Sequence, residues 1–106
     1  MFRPIGVRAA PYIEAMMHEP GRLTGGLNWY RALNGKQLAG VKLIAVPTTY
    51  VWSDKDGIVS LLAALRTKDW VEADYQLVAM KGISHWVPEQ APAELAEAAL
   101  ARIRSV

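Results

Sequence analysis

The 106-residue chain contains no cysteine. Disulfide staples and thiolate metal sites are therefore both excluded, and nothing in its composition demands an oxidising compartment. A reducing cytoplasm is the expected location. An excess of one charge is equally lacking: 12 basic against 10 acidic residues leave a formal net charge of +2. The lysines and arginines are scattered, so no run is positioned to grip a phosphate backbone, and nucleic acid is not an expected partner. No apolar run approaches the roughly 18 residues of a membrane span. The opening MFRPIGVRAAPYIEAMM lacks the apolar stretch and cleavage site of a secretory signal. A membrane is not an expected partner either. Internal repeats and low-complexity segments are also absent.

What is present suits one modest folded unit, since 52% of the residues are hydrophobic and a disordered chain would carry far fewer. Residues 1–10 read as irregular, with Pro4 and Gly6. PYIEAMMH (11–18) suits a short helix, with its proline in the first turn and Ile13, Met16 and Met17 at helical spacing. RLTGGLNWYRAL (22–33) carries a second stripe through Leu23, Leu27, Tyr30 and Leu33. Gly25 and Gly26 each cost about 1 kcal/mol relative to alanine inside a helix, so the pair points to a closely packed neighbour.

Beyond a loop at 34–40, VKLIAVPTTYVWS (41–53) is β-rich and divided by Pro47, which places a strand at 48–52 behind an extended approach. The unbroken Tyr50-Val51-Trp52 predicts burial on both faces, as in a parallel sheet. SDKDG (53–57) reads as a turn, and IVSLLAALRTKDW (58–70) as a helix buried through Leu61, Leu62 and Leu65. DYQLVAMKG (74–82) is a second strand, and ISHWVPEQAP (83–92) a loop. PAELAEAALARIR (92–104) is a final helix with an apolar stripe at Leu95, Ala99 and Ile103. Pro92, Glu94 and Glu97 early, with Arg102 and Arg104 late, suit its dipole. The order strand–helix–strand–helix predicts a right-handed βαβ unit with one further helix. Two parallel strands do not make a whole sheet.

In open parallel sheets, chemistry gathers in the loops at the carboxyl ends of the strands. Asp54 and Asp56 follow the first strand, and His85 follows the second, 29 residues beyond Asp56. Neighbouring strands would set these loops side by side. A carboxylate accepting a hydrogen bond from one imidazole nitrogen fixes the tautomer and stabilises the imidazolium formed when the other nitrogen takes a proton. The same residues also suit solvated turn positions and an ordinary loop histidine, and spacing alone leaves both readings open. A metal site is disfavoured, because one D-x-D and one histidine leave the ligand set short.

PTTYVWSDKDGIVS followed by YQLVAMKGISHWVPEQAPAELAEAAL resembles the C-terminal third of the α/β-hydrolase fold. Upstream, PGRLTGGLNWYRA is similar to the end of the helical cap in its epoxide hydrolase-like branch, which includes haloalkane dehalogenases. The resemblance runs over roughly residues 10–100. It implies an α/β chain: residues 1–38 as the end of the cap, and residues 39–106 as the C-terminal part of the core, two parallel strands with flanking helices. It further implies Asp56 as the acid of a catalytic triad and His85 as its base. Tyr30 would hydrogen-bond the epoxide oxygen as the ring opens, and Trp29 and Trp86 would wall the substrate pocket. Ser53 departs from the family's usual glycine three residues before the acid, and Gly57 from a common proline after it. Asp54 is two residues too early for the role and reads as a turn residue.

The family's nucleophile lies on a G-x-S-x-G or G-x-D-x-G elbow. Neither pattern occurs, and Ser53, Ser60, Ser84 and Ser105 have no flanking glycine pair. The resemblance therefore implies a chain carrying acid and base without the nucleophile, inactive alone. Its expected partner is the missing N-terminal part of the hydrolase or further copies of itself. No metal or organic cofactor is expected, and a small molecule is the substrate of the intact enzyme. Two alternatives stay open: a non-catalytic α/β module acting by self-association or partner binding, and part of a serine esterase or haloalkane dehalogenase.

Overall fold

The computed structural model describes residues 9–33, 35 and 39–105, in two units, Met1–Lys42 and Leu43–Val106. The expected irregularity at Pro4 and Gly6, much of the expected loop at 34–40 and the expected boundary at 38/39 lie outside the described residues.

The first unit holds helices α1 (Ala10–His18) and α2 (Arg22–Ala32). Gly21, in the left-handed region at φ 81°, makes the turn between them. Of the glycine pair, only Gly26 meets a neighbour, the Met16 side chain, 3.8 Å from where a Cβ would stand. Gly25 faces open space, so the pair as a whole does not mark close packing. The stripe Leu23, Leu27, Tyr30 and Leu33 is exposed.

In the second unit, strands β1 (Thr48–Lys55) and β2 (Tyr75–Ser84) pair in parallel, as the order of elements predicts. The extended approach joins them early: Ile44 bridges Val71, with its amide donating to the Trp70 carbonyl. Both strands outrun their expected ends, so Ser53, Asp54 and Lys55 are strand, not turn. Between Ser53↔Met80 and Lys55↔Ser84 the register slips, which sets Asp54 against a bulge on β2.

The connection departs from a single helix over 58–70. Helix α3 spans only Leu61–Arg66 and passes into a 3₁₀ turn at Thr67–Trp70. Ser60 caps it, with its side chain accepting from the Ala63 amide. The amides of Ile58 and Val59 are instead held by the Asp56 carboxylate, which keeps that stretch out of the helix. The residue buried on α3 is Ala64, while Leu61, Leu62 and Leu65 are exposed, Leu62 to 67%.

After β2 come the single turn α4 (Val87–Gln90), within the expected loop, and α5 (Pro92–Arg104). Arg102 sets how α5 lies. Its guanidinium donates to Thr49 Oγ1 at 2.8 Å and to the Thr48 carbonyl at 3.2 Å, and pairs with Asp74 at 2.6 Å. This seats α5 on the face that Thr49, Val51 and Ser53 share. The packed stripe is consequently Ala91, Leu95, Ala98 and Arg102, and Ala99 and Ile103 of the expected stripe are exposed. The buried core of the unit consists of Trp52, Ser53, Ala64, Met80 and Ala91. Among the described residues, no helix is long and apolar enough to cross a membrane.

Candidate functional site

The parallel pairing of β1 and β2 brings their carboxyl-terminal loops together. Asp56 lies one residue past β1 and His85 one residue past β2. His85 Nδ1 lies 3.0 Å from Asp56 Oδ2 and 3.2 Å from Oδ1. An ionised carboxylate can only accept, so Nδ1 carries the hydrogen and Nε2 is left with the lone pair that can take a proton.

Asp56 is held from two sides. Its Oδ1 also accepts from the Ile58 amide at 2.8 Å and the Val59 amide at 3.0 Å. The Asp56 side chain is 8% exposed and that of His85 36%, so the acid is sheltered while the imidazole keeps an open side. Burial by itself would raise the Asp56 carboxyl. The Val59 amide, the His85 hydrogen bond, the Ile58 amide and the His85 charge together outweigh it and hold Asp56 below the usual aspartate value. The carboxylate is thus ionised wherever the imidazole needs a counter-charge.

A second layer of hydrogen bonds fixes the strand ends. Ser53, fully buried, donates from Oγ to the Ser84 carbonyl at 2.8 Å. Ser53 therefore ties β1 to the residue before His85. Gln90 Oε1 accepts from both the amide and the hydroxyl of Ser84, each at 2.8 Å. The Trp52 indole donates to the Val59 carbonyl at 2.9 Å, pinning the far side of the Asp56 loop. Asp54, which reads as a turn residue, instead accepts from the Gly82 amide at 2.7 Å. Sequence reasoning missed Ser53, Ser84 and Gln90 as supports. Their type gave no warning, because each is an ordinary loop or strand residue until the two strands are paired.

A cavity of about 300 Å³ opens beside the pair, walled by Tyr50, Trp52, Val59, Val87, Pro88 and Leu95 among others. Burial first, and the Asp56 charge second, raise the Tyr50 hydroxyl above its usual range, so it faces the cavity as a neutral phenol. Trp86 does not line this cavity; its ring meets the His85 imidazole edge-on, with centroids 6.0 Å apart. Trp29 and Tyr30 stand on α2 in the first unit, both exposed, Tyr30 to 67%. Among the described residues, no group of three or more potential ligands could hold a metal ion.

This arrangement can orient an imidazole, hold its tautomer and stabilise its protonated form. The chain is 30% identical to epoxide hydrolase A of Mycobacterium tuberculosis over 107 aligned positions, covering 92% of the chain and 33% of that protein. It is 28% identical to epoxide hydrolase 3 of Xenopus tropicalis, covering 78% of the chain and 23% of the relative. It is 34% identical to the AB hydrolase superfamily protein YfhM of Bacillus subtilis, covering 71% and 26%. The chain thus spans a third or less of the length of these curated relatives. No family model matches it, and no solved structure matches it significantly. Its relatives are epoxide hydrolases and an α/β-hydrolase superfamily protein, in keeping with the resemblance read from its residues.

Proposed function

We propose that this chain, which resembles the C-terminal part of epoxide hydrolase-like α/β-hydrolases, supplies the acid and base of such an enzyme, with Asp56 as acid and His85 as base. The observation that carries the reading is the hydrogen bond from His85 Nδ1 to a sheltered, ionised Asp56 across the ends of two parallel strands. The two backbone amides held by Asp56 are those of an ordinary Asx turn, so the contact that supports the reading is the one to His85, 29 residues away in the chain.

In the intact enzyme a carboxylate nucleophile on another part of the protein opens the epoxide and forms an ester. Tyr30 donates a hydrogen bond, and then its proton, to the oxygen released from the ring. Its phenolate regains a proton by way of solvent when the imidazolium formed in the next step gives up its own. His85 Nε2 then takes a proton from water as that water attacks the ester, and Asp56 stabilises the resulting imidazolium. Trp29 belongs to the cap side of the substrate pocket in this reading, with residues 1–38 as the cap end and 39–106 as the core. Trp86, whose ring meets the imidazole edge-on, helps to wall the pocket of the intact enzyme in the same reading.

The chain taken alone is inactive on this account, since loss of a triad nucleophile costs about 10⁶ in kcat. The partner that restores function is the N-terminal part of the hydrolase. Two observations favour this. The relatives are at least three times as long as the matched segment, and the second unit leaves Ile58, Leu61, Leu62, Leu100 and Ile103 exposed. Self-association would cover the same apolar residues and is the competing outcome.

The test joins the 106 residues to the N-terminal two thirds of the Mycobacterium tuberculosis relative and measures hydrolysis of a small epoxide. The account expects no turnover from the chain alone and turnover from the chimera that depends on His85. A folded chimera whose turnover survives His85→Ala overturns the assignment.

A further inference from the structure

The slip in the β1–β2 register falls immediately before the proposed base. Ser53 pairs with Met80 and Lys55 with Ser84, so Asp54 alone faces Lys81, Gly82 and Ile83. Gly82 turns the chain inside this bulge at φ 72°, a conformation that L side chains rarely adopt. Side chains alternate between the faces of a strand, so the form of a bulge decides which way the following residues leave it. Here those residues are Ser84 and His85. The one side chain reaching into the bulge from the neighbouring strand is that of Asp54 (among the hydrogen bonds of the described residues), with Oδ1 2.7 Å from the Gly82 amide. Bonds from an amide to an ionised acceptor are stronger than neutral ones, and this one acts where the regular ladder is interrupted.

We infer that Asp54 is a positioning residue for His85: by holding the Gly82 amide, it fixes the β2 bulge that delivers the imidazole to Asp56. The inference rests on His85 being the base, but its content is geometric and does not require turnover. Asp54 touches no reacting atom. Two carboxylates two residues apart thus divide the work, Asp56 binding the ring and Asp54 the backbone that carries it.

The test reads the imidazole nitrogens by NMR in the full 106-residue chain, with His18 on α1 as an internal reference. In the unsubstituted chain His85 is expected as the Nδ1–H tautomer. Asp54→Ala should lose that tautomer preference while the far-UV circular dichroism and the His18 signals stay unchanged. Gly82→Ala, a second lesion in the same bulge, should produce the same loss. Asp54→Asn should retain the tautomer, because its amide oxygen still accepts from Gly82. The inference is overturned if Asp54→Ala keeps the Nδ1–H tautomer, if Asp54→Asn loses it as alanine does, or if Asp54→Ala unfolds the chain outright. Absence of the Nδ1–H tautomer in the unsubstituted chain overturns the Asp56–His85 pairing itself, and this inference with it.

Discussion

The carboxyl ends of β1 and β2 and the outward faces of the flanking helices are furnished in opposite ways. At the strand ends, Asp56, His85, Ser53, Ser84, Gln90 and Asp54 bond one another or nearby backbone groups of the same unit. On the helices, Leu61, Leu62 and Leu65 of α3 and Leu100 and Ile103 of α5 are exposed, Ile103 to 66%. The hydrogen bonds at the strand ends close within the unit, whereas apolar burial does not. Hydrogen bonds are directional and can close over a few residues, whereas burying a leucine requires a surface to bury it against. The Asp56–His85 pair is therefore assembled locally, while the apolar side chains of the helices have little within the unit to bury against.

Several substitutions would break or sharpen that contrast. The largest effect belongs to the pair itself. In the chimera, His85→Ala should lower the rate of epoxide hydrolysis by about 10⁴-fold or more, and Asp56→Asn by about 10⁴, since each leaves the imidazole absent or in the wrong tautomer. Tyr30→Phe should cost about 10², at the lower end of what a positioned general acid contributes. Steady-state kinetics with one epoxide separates the three.

Next in size is the one large aromatic that the unit buries. Trp52 packs inside and its indole holds the Val59 carbonyl, so Trp52→Ala should destabilise the chain by roughly 3–5 kcal/mol, read as a shift in urea midpoint. A core this small leaves little margin, and the variant should be largely unfolded at 25 °C.

Acid should loosen the hold of Asp56 on His85 and on the loop that follows β1. The Asp56 carboxyl is depressed in the folded chain, so its contribution to stability is fully present above the ordinary aspartate value of about 3.9 and is lost as the pH falls through the lower folded value. Urea titrations from pH 5 downward should show that decline, and Asp56→Asn should flatten it. The smallest effect tests the other half of the contrast. Leu62→Lys and Ile103→Lys remove side chains that touch little, so stability should change by no more than about 0.5 kcal/mol. Light scattering should at the same time show less self-association, because the apolar faces have gained charge.

Much of the C-terminal unit could be read from the residues, for identifiable reasons. Two β-rich runs flanking a helical stretch imply a parallel pair, and parallel strands bring the loop after β1 to the loop after β2, which makes Asp54, Asp56 and His85 candidates. The resemblance alone singles out Asp56 as the acid. The misreadings share a cause. Periodicity assumed that the leucines of 58–70 face inward, whereas Asp56 and Ser60 use their side chains to hold backbone amides and so delay the helix to Leu61. On α5 the apolar stripe was outweighed by a charged residue, because Arg102 finds Thr48, Thr49 and Asp74 together at the start of the strands. Asp54 reads as a turn residue because a bulge depends on the register between two strands, which no single run of sequence contains.

The central claim, that His85 is the base that releases an ester formed elsewhere in the enzyme, is tested most directly by the intact mass of the His85→Ala chimera after reaction with excess epoxide. The account predicts that ring opening still occurs but water is no longer activated, so a species heavier by one epoxide accumulates on the protein. A chimera that binds epoxide yet shows no covalent adduct, or that turns over as fast as with His85 in place, would contradict it.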